Sequence, residues 1–183
     1  MSYLSEELPE QVYGLKFLFL GLAQTGKSSI IKVIIENMDT HETKMLPTTV
    51  KTKKELFDFS GYTFNVYDTG GEISYLEEAF VELRESIFSH VKAFFYIIDV
   101  SDMKDVEISK QYFVRALKYV KEYSKDAQMR VLAHKIDLID KDLREETLKT
   151  VSDLFNLEDY PEVQILETSI YEQSLIYAIK SVI

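Results

Sequence analysis

The stretch FLFLGLAQTGKSSIIKVI, residues 17–34, runs from an apolar segment into small and polar residues and then into helical spacing. Its middle, GLAQTGKS from Gly21 to Ser28, matches G-x-x-x-x-G-K-[ST] in the required context, after a strand and opening a helix. The glycines let the backbone curl so that successive N–H groups aim inward at phosphate oxygens, and the following helix adds its positive end. Lys27 supplies a point charge for the outer phosphates, and Ser28 offers its hydroxyl to Mg²⁺. Gly21, Ala23, Gln24, Thr25 and Gly26 form the candidate cradle, continued by Lys27, Ser28 and Ser29. The expected occupant is a nucleoside triphosphate.

Outward from this turn, apolar runs suited to buried strands recur at 15–21, 63–68, 91–100, 129–135 and 163–169. A sixth β-prone stretch at 48–59 reaches the second run through Gly61, which predicts an antiparallel hairpin at one sheet edge. Helical spacing occupies 27–38, 73–89, 104–124, 141–156 and 172–182. The alternation predicts an α/β fold, a six-stranded, mostly parallel sheet with one antiparallel edge strand and about five flanking helices. Ligands of such sheets sit where strand C-termini meet helix N-termini. Residues 1–13 read as a leader and 14–183 as one domain.

The formal charge of −10 repels polyanions and argues against nucleic acid as a partner. The absence of cysteine excludes a disulfide framework and thiolate metal sites, and suits a reducing compartment. With no long apolar run and no lipidation motif, the expected location is cytoplasmic, without a direct membrane anchor.

Two further motifs stand at strand ends. FNVYDTGG places Asp68 where it can hold Mg²⁺ through water, and Gly71 where a backbone N–H can approach a terminal phosphate. In LAHKIDL, Asp137 can accept from both the ring N–H and the exocyclic amine of guanine, a pair adenine lacks. Lys135 can lay its aliphatic stem over the base. LETSI ends the last run with Ser169 and Ile170, whose backbone can meet the base carbonyl.

Together these four pieces resemble the Ras-like small GTPases over about residues 14–183, and within them the Rag/Gtr group. HKID carries His134 where most small GTPases have Asn; DTGG, ESIFSHV (85–91) and TSIYEQSL (168–175) also resemble Rag segments. The resemblance implies a P-loop GTPase that binds GTP or GDP with Mg²⁺ and acts as a molecular switch. It makes LPTTV (46–50) the first switch, with Thr48 closing over Mg²⁺ and the terminal phosphate and Thr49 as the rival, and 69–85 the second. The implied metal ligands are Ser28, Thr48 and Asp68, the implied catalytic set is Lys27, Thr48 and Glu72, and His134 is implied at the base. Effectors and regulators would read the switches, and a dimer with another GTPase or a roadblock-type protein is an expected partnership, although the Rag route of pairing through a C-terminal domain does not carry over to this sequence.

Three features depart from that pattern. The sequence stops after its last helical stretch, where Rag proteins carry a second, C-terminal domain, so it reads either as a stand-alone relative or as a piece of a longer chain. Ala23 stands where Ras has Gly. Glu72 takes the place of the Gln that orients the attacking water, and a carboxylate there repels the terminal phosphate. Intrinsic hydrolysis is therefore expected to be slow; the alternative is a GTP-binding module with negligible hydrolysis. Tyr112, Phe113, Leu117 and Val120 read as the core face of a helix, and His41 and His90 as surface residues.

Overall fold

The computed structural model describes residues 15–47, 52–59, 62–69 and 72–183, the two strands at 52–59 and 62–69 by their backbone. The chain forms β1 (Leu15–Leu20), α1 (Lys27–Ile35), β2 (Thr52–Phe59), β3 (Tyr62–Thr69), α2 (Ile73–Val81) and α3 (Arg84–Phe88). It continues through β4 (Val91–Asp99), α4 (Val106–Tyr123), β5 (Gln128–His134), α5 (Arg144–Leu154), β6 (Val163–Thr168) and α6 (Ser174–Lys180). The sheet order is β2-β3-β1-β4-β5-β6. Only β2 runs antiparallel, paired with β3 from Thr52↔Thr69 to Phe59↔Tyr62, so the expected edge hairpin and six-stranded sheet are both present.

Strand pleating divides the apolar runs between two cores. From β1, Leu18 and Leu20 join the core under α2 to α5, while Phe17 and Phe19 join the one beneath α1 and α6. The next strand repeats the division, with Phe94, Tyr96 and Ile98 on one face and Ala93, Phe95 and Ile97 on the other. Helix α4 buries Tyr112, Phe113, Ala116, Leu117 and Val120 at intervals of three and four, and His41 and His90 are exposed, as expected.

The single helix expected over 73–89 is a correction: it is two helices, which raises the count to six α-helices among the described residues. Leu83 leaves helical geometry at φ −104°, ψ 8°, and its N–H reaches back to Glu78 O at 3.2 Å. The break re-aims the chain so that Ile87 and Phe88 enter the core. Lys16, a buried strand residue, donates from Nζ to Ser86 O (2.6 Å) and Ser89 O (2.9 Å), satisfying carbonyls at the end of the second piece.

Strand order places the site. After β1 the chain turns toward β3, and after β4 toward β5, so the switch point lies between β1 and β4, at whose C-terminal ends the glycine-rich turn begins.

Candidate nucleotide site

The turn after β1 has the backbone its glycines require. Gly21 adopts φ +150° and Gly26 φ +97°, and a Cβ at Gly21 would collide with the carbonyl oxygen of Ile97 on β4. Gln24 also has positive φ, at 64°. Thr25 closes the curl by donating from Oγ1 to Leu22 O at 3.0 Å. Lys27 is buried, and its Nζ donates to Gly21 O (2.9 Å) and Leu22 O (2.7 Å), holding the ammonium across the loop. The first turn of α1 contains no acidic residue of its own to oppose the positive end of the helix.

A cleft opens over this loop. It is lined by Ala23, Gln24 and Gly26 to Ser29, together with Thr43, Leu46, Pro47 and Lys135. Leu46 and Pro47, the first residues of the expected first switch, thus border the cleft, while Thr48, Thr49 and Gly71 lie outside the described residues. Asp68 is opposite Phe19 in the β1–β3 register, one strand away from the turn. Glu72 is exposed at the N-cap of α2 and makes no side-chain cap hydrogen bond. Among the described residues, no group of three or more His, Cys, Asp or Glu side chains is arranged to hold a metal.

The ends of β5 and β6 bring the second half of the site to the first. His134, 2% exposed, places Nδ1 3.0 Å from Thr168 Oγ1, and its ring lies against Gly26. Burial, and then the charge of Lys135, push its pKa down to about 4, so the ring is neutral at pH 7. The ring thus stands between the glycine-rich turn and the end of the last strand. Lys135, at φ 63°, donates from Nζ to Gln24 O at 3.0 Å and thereby ties the two halves together.

Asp137 is half-buried in the 3₁₀ turn Ile136–Leu138, next to Lys135. Ser169 is buried; its N–H reaches Ser174 Oγ at 3.3 Å and its Oγ accepts from Tyr171 N–H at 3.0 Å. Ile170 packs against the α1–α6 core. Asp137, Ser169, Ile170 and Glu72 do not line the cleft over the loop.

Sequence reasoning missed three participants. Thr168 is the partner of His134, and only its place at a strand end signals it. Asp99, at the end of β4, forms an ion pair with Lys135. Arg144, at the start of α5, grips Glu172 with two N–H groups (2.8 and 3.2 Å) and so joins the segment after β5 to the one after β6. No helix among the described residues is long and apolar enough to cross a membrane.

Comparison with known proteins shows the family and the fold. Residues 16–183 match the model of the Gtr1/RagA G protein conserved region. The chain is 33% identical to GTP-binding protein GTR1 of Saccharomyces cerevisiae over 87% of its own length and 53% of the relative's. It is 27% identical to human Ras-related GTP-binding protein C over 92% of its length and 43% of the relative's. It therefore spans about half the length of the curated relatives it matches. Among solved structures, the Arl6 BBS3 small GTPase of Trypanosoma brucei with bound nucleotide analogue GppNp shares the fold at TM-score 0.71 and 19% identity, covering 92% of this chain and 94% of that one. The chain belongs to the Gtr1/RagA G protein family.

Proposed function

We propose that this chain is a guanine-nucleotide switch that binds GTP and GDP and hydrolyses GTP slowly. The observation that carries the reading is the bond from Lys135 Nζ to Gln24 O, which joins the candidate base loop directly to the candidate phosphate loop. The names of its relatives, GTP-binding proteins, support the same ligand.

In this reading the amides of Ala23 to Ser29 and the start of α1 receive the phosphates, and Lys27 adds its charge. Asp137 accepts from the guanine edge and the stem of Lys135 covers one base face. Mg²⁺ would be held by Ser28, by Asp68 through water, and by Thr48, where it would neutralise charge on the phosphate oxygens. The donor set suits it: hydroxyl and carboxylate oxygens fit an ion that keeps waters and phosphates as further ligands. Partners would read the switch segments on either side of the cleft, another GTPase of the same family would be a dimer partner, and the protein would act in the cytoplasm.

A second reading, nucleotide binding with negligible hydrolysis, is favoured by Glu72, an exposed carboxylate at the N-cap of α2 that can accept from a water but cannot donate to a phosphoryl group. Identifying the nucleotide that copurifies, then following its single-turnover conversion in Mg²⁺, tests both. GDP or GTP in the purified protein with slow phosphate release supports the first reading. Bound GTP that persists for days supports the second, and copurified adenine nucleotide contradicts both.

A further inference from the structure

Lys135 divides two clefts. It lines the one above the phosphate loop, and also a neighbouring one walled by Leu22, Ala23, Gln24 and the residues after β4. A lysine so placed, 32% exposed with a long stem, has many rotamers to choose from and needs an anchor to serve as a wall. The anchor is Asp99, the last residue of β4, opposite His134 in the sheet register and 12% exposed. Its two oxygens divide the work. Oδ2 pairs with Lys135 Nζ, while Oδ1 accepts from the Ser101 N–H (2.9 Å) and Oγ (2.6 Å).

We propose that Asp99 is a positioning residue for guanine-nucleotide binding, holding the Lys135 ammonium against Gln24 O so that the Lys135 stem is preset as the wall of the base site. The inference rests on the guanine-nucleotide reading above. Its effect runs through Lys135 and not through contact with the nucleotide. The Ser101 turn alone would make Asp99 an ordinary loop residue. That role belongs to Oδ1 only, so substitution by Asn separates the two: an amide keeps Oδ1 as acceptor and replaces Oδ2 with an NH₂ that cannot receive the lysine. Simple charge counting predicts the opposite sign, because removing a carboxylate near a polyanion tightens binding.

The test is the dissociation rate of mant-GDP from wild type, Asp99→Asn, Lys135→Met and the double variant, with thermal unfolding run alongside. Asp99→Asn is expected to speed dissociation about tenfold while leaving the unfolding midpoint near wild type. In the Lys135→Met background, which keeps an unbranched stem without the charge, the same change should alter the rate by less than about twofold. Asp99→Glu, which restores the carboxylate, should recover part of the loss. Slower or unchanged dissociation in Asp99→Asn overturns the proposal, as does a double variant in which the two effects multiply. Wild type that fails to bind mant-GDP removes the nucleotide reading itself, and the proposal with it.

Discussion

The imidazole of His134 sits so close to Gly26 that a methyl group on Gly26 would stand 2.7 Å from ring Cδ2 and 2.9 Å from Nε2. Two loops far apart in the chain are thus in direct contact, and the contact requires both a residue without a side chain on the phosphate loop and a flat ring at the end of β5. The other edge of the ring is fixed by Thr168, 3.0 Å from Nδ1. The candidate phosphate and base loops are therefore packed as one unit.

Gly26→Ala is expected to break that unit. The φ of +97° strains any L side chain by roughly 1–3 kcal/mol, and the methyl must also displace a buried ring. Urea unfolding should show a loss of about 2 kcal/mol or more, with mant-GDP affinity falling further. Preserved stability and affinity together would mean that the His134 wedge can move freely.

Acid should find His134 before it finds most carboxylates. The folded-state pKa is lowered to about 4 from 6.5, mainly by burial and then by Lys135, with Asp99 and Asp137 opposing. Because the folded value is depressed, the unfolded chain takes up the proton first, and stability is lost as pH falls from about 6.5 toward 4. Between pH 7.5 and 5 this amounts to roughly 2 kcal/mol. The folded pKa of Glu77 is also lowered, so it removes stability in a separate window, below about 4.5. Denaturant curves at the two pH values should show His134→Asn losing about 2 kcal/mol less than wild type; equal losses would contradict a buried neutral imidazole.

Much of the site was legible because chemistry and local pattern coincide there. The FLFLG run, its two glycines and Lys27 have to be a strand, a turn and a helix start, since no other backbone lets those amides converge. What escaped reading depends on tertiary contact. Asp99 sits in a strand-end motif much like that of Asp68, but only the β4–β5 register brings it to Lys135. Thr168 and the Arg144–Glu172 grip bridge elements whose proximity no local spacing encodes. The sequence places His134 at a strand end, but its contacts with Gly26 and Thr168 come from the packing of three separate segments. The helix break at Leu83 was hidden within continuous periodicity, since Ile87 and Phe88 keep the apolar pattern while changing direction.

Helix α2 carries much of the expected second switch, and it is fastened to α4. Arg115 donates through both Nη atoms to the Glu77 carboxylate, Tyr112 Oη donates to Glu77 Oε1 at 2.7 Å, and the guanidinium lies 4.9 Å from the Phe80 ring centroid. The ion-paired side chains are 37% and 43% exposed, so solvent screens the pair and Arg115→Ala should cost less than about 1 kcal/mol of global stability. The local effect is larger in kind: hydrogen exchange of α2 amides should rise roughly fivefold while the β-strands keep their protection. Unchanged exchange in α2 would show that Leu76 and Phe80 hold the helix without the ion pair.

Glu72→Gln tests whether the carboxylate is what slows hydrolysis. An amide can donate to the transferring phosphoryl group where a carboxylate can only accept. Wild type should turn over at or below roughly 10⁻⁴ to 10⁻³ per second, and the variant faster, with GTP affinity nearly unchanged. If Glu72→Gln and Glu72→Ala are both much slower than wild type, the carboxylate is itself catalytic.

The central claim is that Asp137 and Lys135 build a guanine site onto the phosphate loop, and competition between bases tests it most directly. Labelled GDP bound to the chain in Mg²⁺ should be displaced by GTP at concentrations at least about a hundredfold below those needed for ATP, since adenine would leave the Asp137 carboxylate without its two donors at a cost of about 3 kcal/mol. Displacement by ATP and GTP at equal concentrations would contradict the account.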